Sequence, residues 1–270
     1  MVSLPAAAVL GIVEGVTEFV PVSSTGHLIV ASTLLGLGGE AVAAFEIVIQ
    51  AGALAAVVGM SRARMASMWR GLRGHEPGGG RVLRNLCVSF LPTGVAGALW
   101  HRQITERLFG PWPVAAALAA GGVLMVGVAA WQRRRASSVA VRGLESMTAR
   151  EALLIGIGQC ASLWPGTSRA MATIVAGLWL GWPIATAAEY SFLLAVPTLG
   201  AATAFAALRH RAALLQQIGV GSLLVGFLCA AVVAALAIRG FLRSVTRWGL
   251  APFGWYRLGF AAIVCGLIRA

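Results

Sequence analysis

Long apolar stretches constrain this chain more than any other feature. Six of them are close to or above the roughly 20 residues that a helix needs to cross about 30 Å of hydrocarbon. Because backbone in contact with lipid must satisfy its hydrogen bonds within the segment, such stretches predict α-helices. The predicted spans are residues 41–60, 85–100, 112–131, 186–207, 215–238 and 252–269.

Composition and charge agree with a membrane protein. Of the 270 residues, 59% are hydrophobic and 11% are charged, whereas soluble domains carry about 25% charged residues. The formal net charge is +12, and all 21 basic residues are arginine, mostly clustered at 61–84, at 132–150 and after residue 238. This clustering predicts cytoplasmic links that attract anionic lipid headgroups. Without a separate basic domain, we expect no nucleic-acid partner.

Two pairs of shorter apolar pieces are interrupted by polar breaks. The first break lies within EGVTEFVPVSSTGH at 14–27, and the second lies within LWPGTSRAMAT at 163–173. Each piece is too short to span the bilayer, so each pair predicts a re-entrant helical hairpin. Broken backbone at membrane depth is tolerated only where it is buried in protein or lines a wet cavity.

The hairpin-plus-three-spans pattern occurs twice within one membrane domain, 1–270. Superimposing Pro21 on Pro165 places Ser24 on Ser168. Three spans invert the second half, which brings the two breaks together near the midplane. We therefore predict an all-α polytopic membrane protein with an inverted-topology repeat, about six transmembrane helices and two re-entrant hairpins. The predicted repeats are 1–131 and 150–270, with hairpins at 3–37 and 151–182.

The first break carries two carboxylates. Glu14 and Glu18 are four residues apart, so they share one face of a helix. Such a pair could hold a divalent cation such as Mg²⁺ or Ca²⁺, share a proton, or act as acid and base.

Hydroxyl groups and an imidazole follow in the same break. Ser23, Ser24 and Thr25 could cap the next helix. Near His27 they could also supply an activated nucleophile, because a hydroxyl beside an imidazole is the simplest form of one.

The second break has the features of an anion site. Pro165 and Gly166 make the break, and Ser168 precedes a helix whose N–H groups can bind an anion. The planar guanidinium of Arg169 matches phosphate oxygens. The two breaks together predict a phosphate site with a metal opposite it. Gly-rich loops of the Walker type are absent from the sequence, so ATP is not expected as the energy source.

Further polar residues lie outside the breaks. Glu46, Gln50 and Glu189 occur within predicted spans and could surround the site as a second layer, although Glu189 could equally be a helix-end residue. Tyr256 and Arg257 lie in the last span, where we interpret them as interfacial anchors.

Five motifs, in order, resemble the undecaprenyl-diphosphate phosphatase family, also called the bacitracin-resistance proteins, over nearly the whole chain. They are EGVTEFVPVSSTGH at 14–27, FEIVIQAGALAAVV at 45–58, GQCASLWPGTSRAMAT at 158–173, SFLLAVPT at 191–198 and FGWYRLGF at 253–260.

This resemblance implies a metal-dependent membrane phosphatase that removes the terminal phosphate of undecaprenyl diphosphate. It would recycle the lipid carrier of cell-wall synthesis and confer resistance to bacitracin. The implied location is the bacterial inner membrane. The arginine clusters, expected in the cytoplasm, predict an active site that opens to the periplasm. The expected partners are the polyprenyl diphosphate lipid, the bilayer and, as an open option, a second copy of the chain.

The resemblance also assigns site residues. The family's two acidic positions match Glu14 and Glu18 as catalytic and metal-binding residues. Its serine, histidine and phosphate-binding arginine match Ser24, His27 and Arg169. It also places Ser168 and Thr173 alongside that arginine. The residues themselves add Ser23, Thr25, Gly166 and Gln50 as further substrate-binding candidates.

The chain departs from the family pattern at one place. Ala170 and Met171 stand where the family usually has Ser and Gly, which argues against a role for a hydroxyl at position 170.

For the chemistry we favour Ser24 as nucleophile with His27, one turn away, as base or acid. Direct attack by His27 remains the alternative.

Two other functions fit parts of the sequence. An inverted repeat with broken helices is typical of transporters, so a lipid-phosphate flippase or an ion-coupled transporter could use the same phosphate site. The clustered serines and histidine favour an enzyme, because a transporter does not need them. A purely structural membrane subunit would not need the clustered glutamates either.

Overall fold

The computed structural model describes residues 2–108, 110–134 and 142–269, which form helices and contain no strand. Short 3₁₀ helices lie at Leu144–Ser146 and Cys160–Leu163, and a short π-helix lies at Leu214–Ile218. The α-helices are α1 (Leu4–Thr17), α2 (Ser24–Leu34), α3 (Glu40–Met60), α4 (Arg62–Leu72), α5 (Pro77–Leu108), α6 (Pro111–Arg134), α7 (Ala149–Gln159), α8 (Arg169–Trp179), α9 (Ile184–Arg209), α10 (Arg211–Ala213), α11 (Val220–Trp248) and α12 (Ala251–Arg269).

The six predicted spans are confirmed as helices. In the described part of the chain, α3, α5, α6, α9, α11 and α12 are long and apolar enough to cross a membrane. The chain is therefore a multi-pass membrane protein.

The arginines predicted in a link after the fifth span lie inside α11 instead. Arg239, Arg243 and Arg247 are exposed on one side of that helix. The helix continues because the other side keeps burying apolar residues at helical spacing, such as Ile238 and Phe241.

The arginine-rich stretch 61–84 is also largely helical rather than a loop, because it forms α4 and the start of α5. Its glycines allow the two helices to touch. A Cβ on Gly79 would lie 2.1 Å from the backbone oxygen of Ser67, and a Cβ on Gly71 would lie 2.0 Å from a backbone nitrogen of α5. A further arginine predicted to be cytoplasmic, Arg135, lies outside the described residues.

The two predicted breaks are confirmed as gaps between short helices. One separates α1 from α2, and the other separates α7 from α8. Ser23 and Ser168 cap α2 and α8, and they are the two non-glycine residues in the described ranges with positive φ, at 74° and 72°. Because Ser23 and Ser168 are equivalent caps, the residues that follow them, Ser24 and Arg169, occupy equivalent positions in the two breaks. The alignment of Ser24 with Ser168 is therefore wrong by one residue within the breaks.

Helices of the first half pack against helices of the second half. α1 packs against α11, α7 against α5, α3 against α9 and α6 against α12. Small residues let the backbones approach closely: a Cβ on Gly52 of α3 would lie 2.1 Å from the backbone oxygen of Phe227 in α11. Such packing of each half against the other is the pattern expected of two related halves. The repeat limits, the inverted orientation and the re-entrant insertion stay predictions.

Candidate active site

The carboxylate of Glu18 joins the two breaks. Glu18 ends α1 and is 7% exposed. Its Oε2 accepts a hydrogen bond from Ser24 Oγ at 2.6 Å, and its Oε1 accepts one from Arg169 Nη2 at 3.1 Å. A hydroxyl from the first break and a guanidinium from the second therefore meet at one buried carboxylate.

Glu14 lies one turn before Glu18 on α1 and is fully buried. Neither of its carboxylate oxygens has a hydrogen-bond donor among the residues that the structure describes. The charges of Glu18, Glu46 and Arg169 act on it. A buried, ionised carboxylate without a partner costs several kcal/mol or more. Glu14 therefore needs either a proton or a bound ligand, and the ligand role stays a prediction.

The donor set fits a hard cation. Oxygen ligands suit Mg²⁺ and Ca²⁺, and Mg²⁺ is commonly held by one or two carboxylates together with substrate phosphates. Glu14 and Glu18 supply two carboxylates. No group of three or more His, Cys, Asp or Glu side chains that could hold a metal occurs in the described ranges. The cation itself stays a prediction.

Arg169 is held in place and still has hydrogen-bonding capacity. Its Nη1 donates to the backbone oxygen of Ser191 at 2.8 Å, and Thr173 Oγ1 donates to Ser191 Oγ at 2.7 Å. Arg169 Nε is buried and meets no acceptor in the described part of the chain. This N–H can therefore donate to a ligand, and phosphate binding stays a prediction. Ser191 carried no predicted role, although it opens the motif SFLLAVPT.

His27 is not paired with Ser24. His27 Nδ1 lies 2.7 Å from the backbone oxygen of Ser23, and Nε2 lies 2.8 Å from the hydroxyl of Tyr256. The ring stacks on Phe260, with centroids 3.9 Å apart. The favoured Ser24–His27 pair is therefore wrong as a direct contact, because Ser24 turns toward α1 and His27 turns toward α12.

The remaining substrate-binding candidates lie close to the two breaks or on α3. The Oγ atoms of Ser23 and Ser168 accept from backbone N–H groups and cap their helices. Gly166, with φ of 95°, packs so closely on α6 that a Cβ would lie 2.6 Å from a backbone oxygen. Thr25 and Gln50 are half-buried. Contact of these residues with a substrate stays a prediction.

Glu189 does not belong to the site, so its prediction as part of a second layer is wrong. Arg64 Nε donates to its Oε1 at 2.8 Å, and Arg64 also pairs with Glu145. Glu46, by contrast, accepts a hydrogen bond from Ser32 of α2 and acts electrostatically on Glu14.

Arg257 is not an interfacial anchor either, because it is fully buried. The guanidinium donates hydrogen bonds to backbone carbonyls of both breaks and of the adjoining helix α6. Carbonyls in a break need such donors because they have no helical partner. Sequence reasoning missed this role, and the only signal was an arginine inside an apolar span. Its acceptors are the backbone oxygens of Pro21, Gly166, Thr167, Ala117 and Leu118, at 2.8 to 3.3 Å.

The sequence matches, over residues 7–263, the family described as Bacitracin resistance protein BacA. The chain belongs to the BacA family. The resemblance noted from the five motifs is thereby confirmed.

Several similar proteins carry an enzyme name. The chain is 50% identical over 262 residues to the undecaprenyl-diphosphatase of Sorangium cellulosum, covering 97% of this chain and 85% of that protein. It is 43% identical to the undecaprenyl-diphosphatase of Nitrosomonas eutropha, covering 96% of this chain and 92% of that one. It is also 43% identical to undecaprenyl-diphosphatase 1 of Chromobacterium violaceum, with coverages of 96% and 94%.

Proposed function

We propose that this BacA-family chain is an integral membrane phosphatase that hydrolyses undecaprenyl diphosphate to undecaprenyl phosphate and inorganic phosphate. The observation that carries the proposal is the buried Glu18 carboxylate, which holds the Ser24 hydroxyl and the Arg169 guanidinium together. A hydroxyl with an adjacent base and a phosphate-binding cation is what phosphoryl transfer needs. The names of the relatives support the substrate.

The biological setting belongs to the same proposal. Hydrolysis would recycle the lipid carrier of cell-wall synthesis and counter bacitracin. We place the protein in the bacterial inner membrane with the site open to the periplasm, in line with the arginine clusters expected in the cytoplasm. A homodimer stays a prediction.

The hydrogen bond between Ser24 Oγ and Glu18 Oε2 supports Glu18, rather than His27, as the base. Ser24 Oγ attacks the terminal phosphorus, and its proton passes along the 2.6 Å hydrogen bond to Glu18. The bond between that phosphorus and the bridging oxygen breaks, and undecaprenyl phosphate leaves with the electron pair. Water then cleaves the phosphoserine: its oxygen stays on phosphorus and one of its protons returns to Ser24 Oγ. The proton held by Glu18 leaves with the products.

Arg169 stabilises negative charge on the transferred phosphoryl group. Its Nη atoms are fixed by Ser191 and Glu18, so its Nε is oriented before the substrate binds. Donors fixed in advance in a water-poor site stabilise the transition state without reorganising. The first turns of α2 and α8 add N–H groups that favour an anion.

Glu14 and Glu18 would hold the divalent cation, Mg²⁺ or Ca²⁺. When bound, such an ion neutralises diphosphate charge and polarises the scissile bond. The chain's own contribution is to place two buried carboxylates one helical turn apart, beside Ser24.

The polyprenyl tail requires an apolar path. An apolar cavity of about 820 Å³ lies between α6, α7 and α8, and its lining includes Thr167, next to the second break. Part of the tail can occupy this cavity and the rest can lie in lipid. Met171 also lines it, so the departure from the family's glycine makes the cavity narrower.

The test is phosphate release from a long-chain polyprenyl diphosphate by the purified protein in detergent. We expect release that EDTA abolishes and that added Mg²⁺ or Ca²⁺ restores. Glu14→Gln should lose this activity, whereas Glu106→Gln, at an exposed glutamate paired with Arg102, should keep it. If no added metal yields release and the protein instead moves polyprenyl phosphate across vesicle bilayers, it is a lipid transporter.

A further inference from the structure

The contacts of His27 assign a role to a residue on the last helix. We infer that Tyr256 is a positioning residue, which fixes the His27 ring and through it the backbone that presents Ser24. This inference rests on the proposed function, because Ser24 is the nucleophile there. It adds one tyrosine to the residues on which turnover depends.

The hydrogen bonds of His27 decide which ring nitrogen carries the proton. The backbone oxygen of Ser23, 2.7 Å from Nδ1, can only accept a hydrogen bond. Nδ1 must therefore carry the proton, and in the neutral ring Nε2 must carry the lone pair. The Tyr256 hydroxyl, 2.8 Å from Nε2, is consequently the donor. Tyr256 therefore stabilises the same neutral tautomer that the Ser23 carbonyl requires.

The hydrogen bond to the Ser23 carbonyl matters because the backbone of Ser23 is strained and needs stabilising contacts. Ser23 has φ 74° and ψ 96°, a strained conformation for a non-glycine residue that persists only where the surroundings enforce it. The next residue is Ser24, whose Oγ must point at Glu18. The bond from His27 Nδ1 to Ser23 is one of the contacts that enforce this conformation.

Aromatic packing holds the histidine and the tyrosine in one orientation. The rings of His27 and Tyr256 are parallel within 5°, with centroids 5.7 Å apart, and His27 also stacks on Phe260. Tyr256 and Phe260 are one turn apart on α12. Tyr256→Phe would keep the ring and remove only the hydroxyl, so it tests the hydrogen bond alone.

A double-mutant cycle separates a positioning role from a general structural one. We expect Tyr256→Phe to lower kcat about tenfold or more with little change in KM, because small misplacement of a reacting group costs up to about 100-fold. In a His27→Ala background the same substitution should lower kcat almost no further, because Tyr256 acts on Ser24 only through the His27 ring. The matched control is Tyr190→Phe, at the chain's other tyrosine, whose hydroxyl bonds Asn85 and Ser89; it should keep the wild-type kcat.

Equal fold-losses from Tyr256→Phe in the wild-type and His27→Ala backgrounds, or a wild-type kcat in Tyr256→Phe, would overturn the inference. If His27→Ala is inactive or unfolded, the ¹⁵N NMR signals of the His27 ring decide. The proton should be on Nδ1 in the wild type and shift toward Nε2 in Tyr256→Phe; an unchanged tautomer contradicts the inference. Lack of phosphate release by the wild type would instead refute the proposed function, and the NMR result would still test the tautomer.

Discussion

Replacing Arg169 with alanine should lower the kcat for polyprenyl diphosphate hydrolysis by about 10²- to 10³-fold, the usual effect of removing one preorganised transition-state donor. The substitution removes the guanidinium whose Nε is unpaired within the described residues. It also releases Glu18 from its ion pair. The measurement is phosphate release under saturating substrate and metal.

A control is needed because breaking a buried ion pair also destabilises the fold by about 3–5 kcal/mol. Arg169→Lys keeps the positive charge beside Glu18 but cannot contact Glu18, Ser191 and a phosphate with one planar fork. We expect Arg169→Lys to melt near the wild-type temperature in detergent and still turn over slowly. Wild-type turnover in a folded Arg169→Ala variant would contradict the site assignment.

Replacing Arg257 with alanine should have the largest effect on stability. The change leaves the backbone oxygens of Pro21, Gly166 and Thr167, which lie in the two breaks, without their buried donor. Each unsatisfied buried group costs about 1–3 kcal/mol, so the total should exceed about 4 kcal/mol, which is exceptional for one residue. The measurement is the melting temperature in detergent, together with the yield of monodisperse protein.

Arg243→Ala is the matched control, since it removes an exposed arginine from the neighbouring helix α11. It should leave the melting temperature almost unchanged. Arg257→Lys should lie between the two, because an ammonium has fewer and less widely spread donors than a guanidinium. If Arg257→Ala melts at the same temperature as Arg243→Ala, the two breaks do not depend on the hydrogen bonds from Arg257.

Features that follow from local periodicity and from the bilayer could be predicted from the sequence. A long apolar run can cross hydrocarbon only as a helix, so the six spans and the two interrupted pairs were recognisable. Glu14 and Glu18 share a helical face by spacing alone. The meeting of Ser24 and Arg169 near one carboxylate was expected in general terms from the predicted repeat.

Features that depend on tertiary partners could not be predicted. Arg257 resembles an interfacial anchor because it follows Trp255 and Tyr256, and nothing local shows that carbonyls of both breaks converge on it. Glu189 is intramembrane by sequence, yet Arg64, far away in the chain, pairs with it outside the site. His27 lies one turn from Ser24, but the direction of each side chain is set by α1 and α12.

The position of the phosphoryl group on the protein during turnover tests the account most directly. It is measured by mass spectrometry after rapid denaturation at neutral pH, with Ser24→Ala as the reference. The account predicts a phosphate ester on Ser24 in the wild type and loss of turnover in Ser24→Ala. Phosphohistidine at His27, or continued turnover in Ser24→Ala, would show that the nucleophile is not the serine held by Glu18.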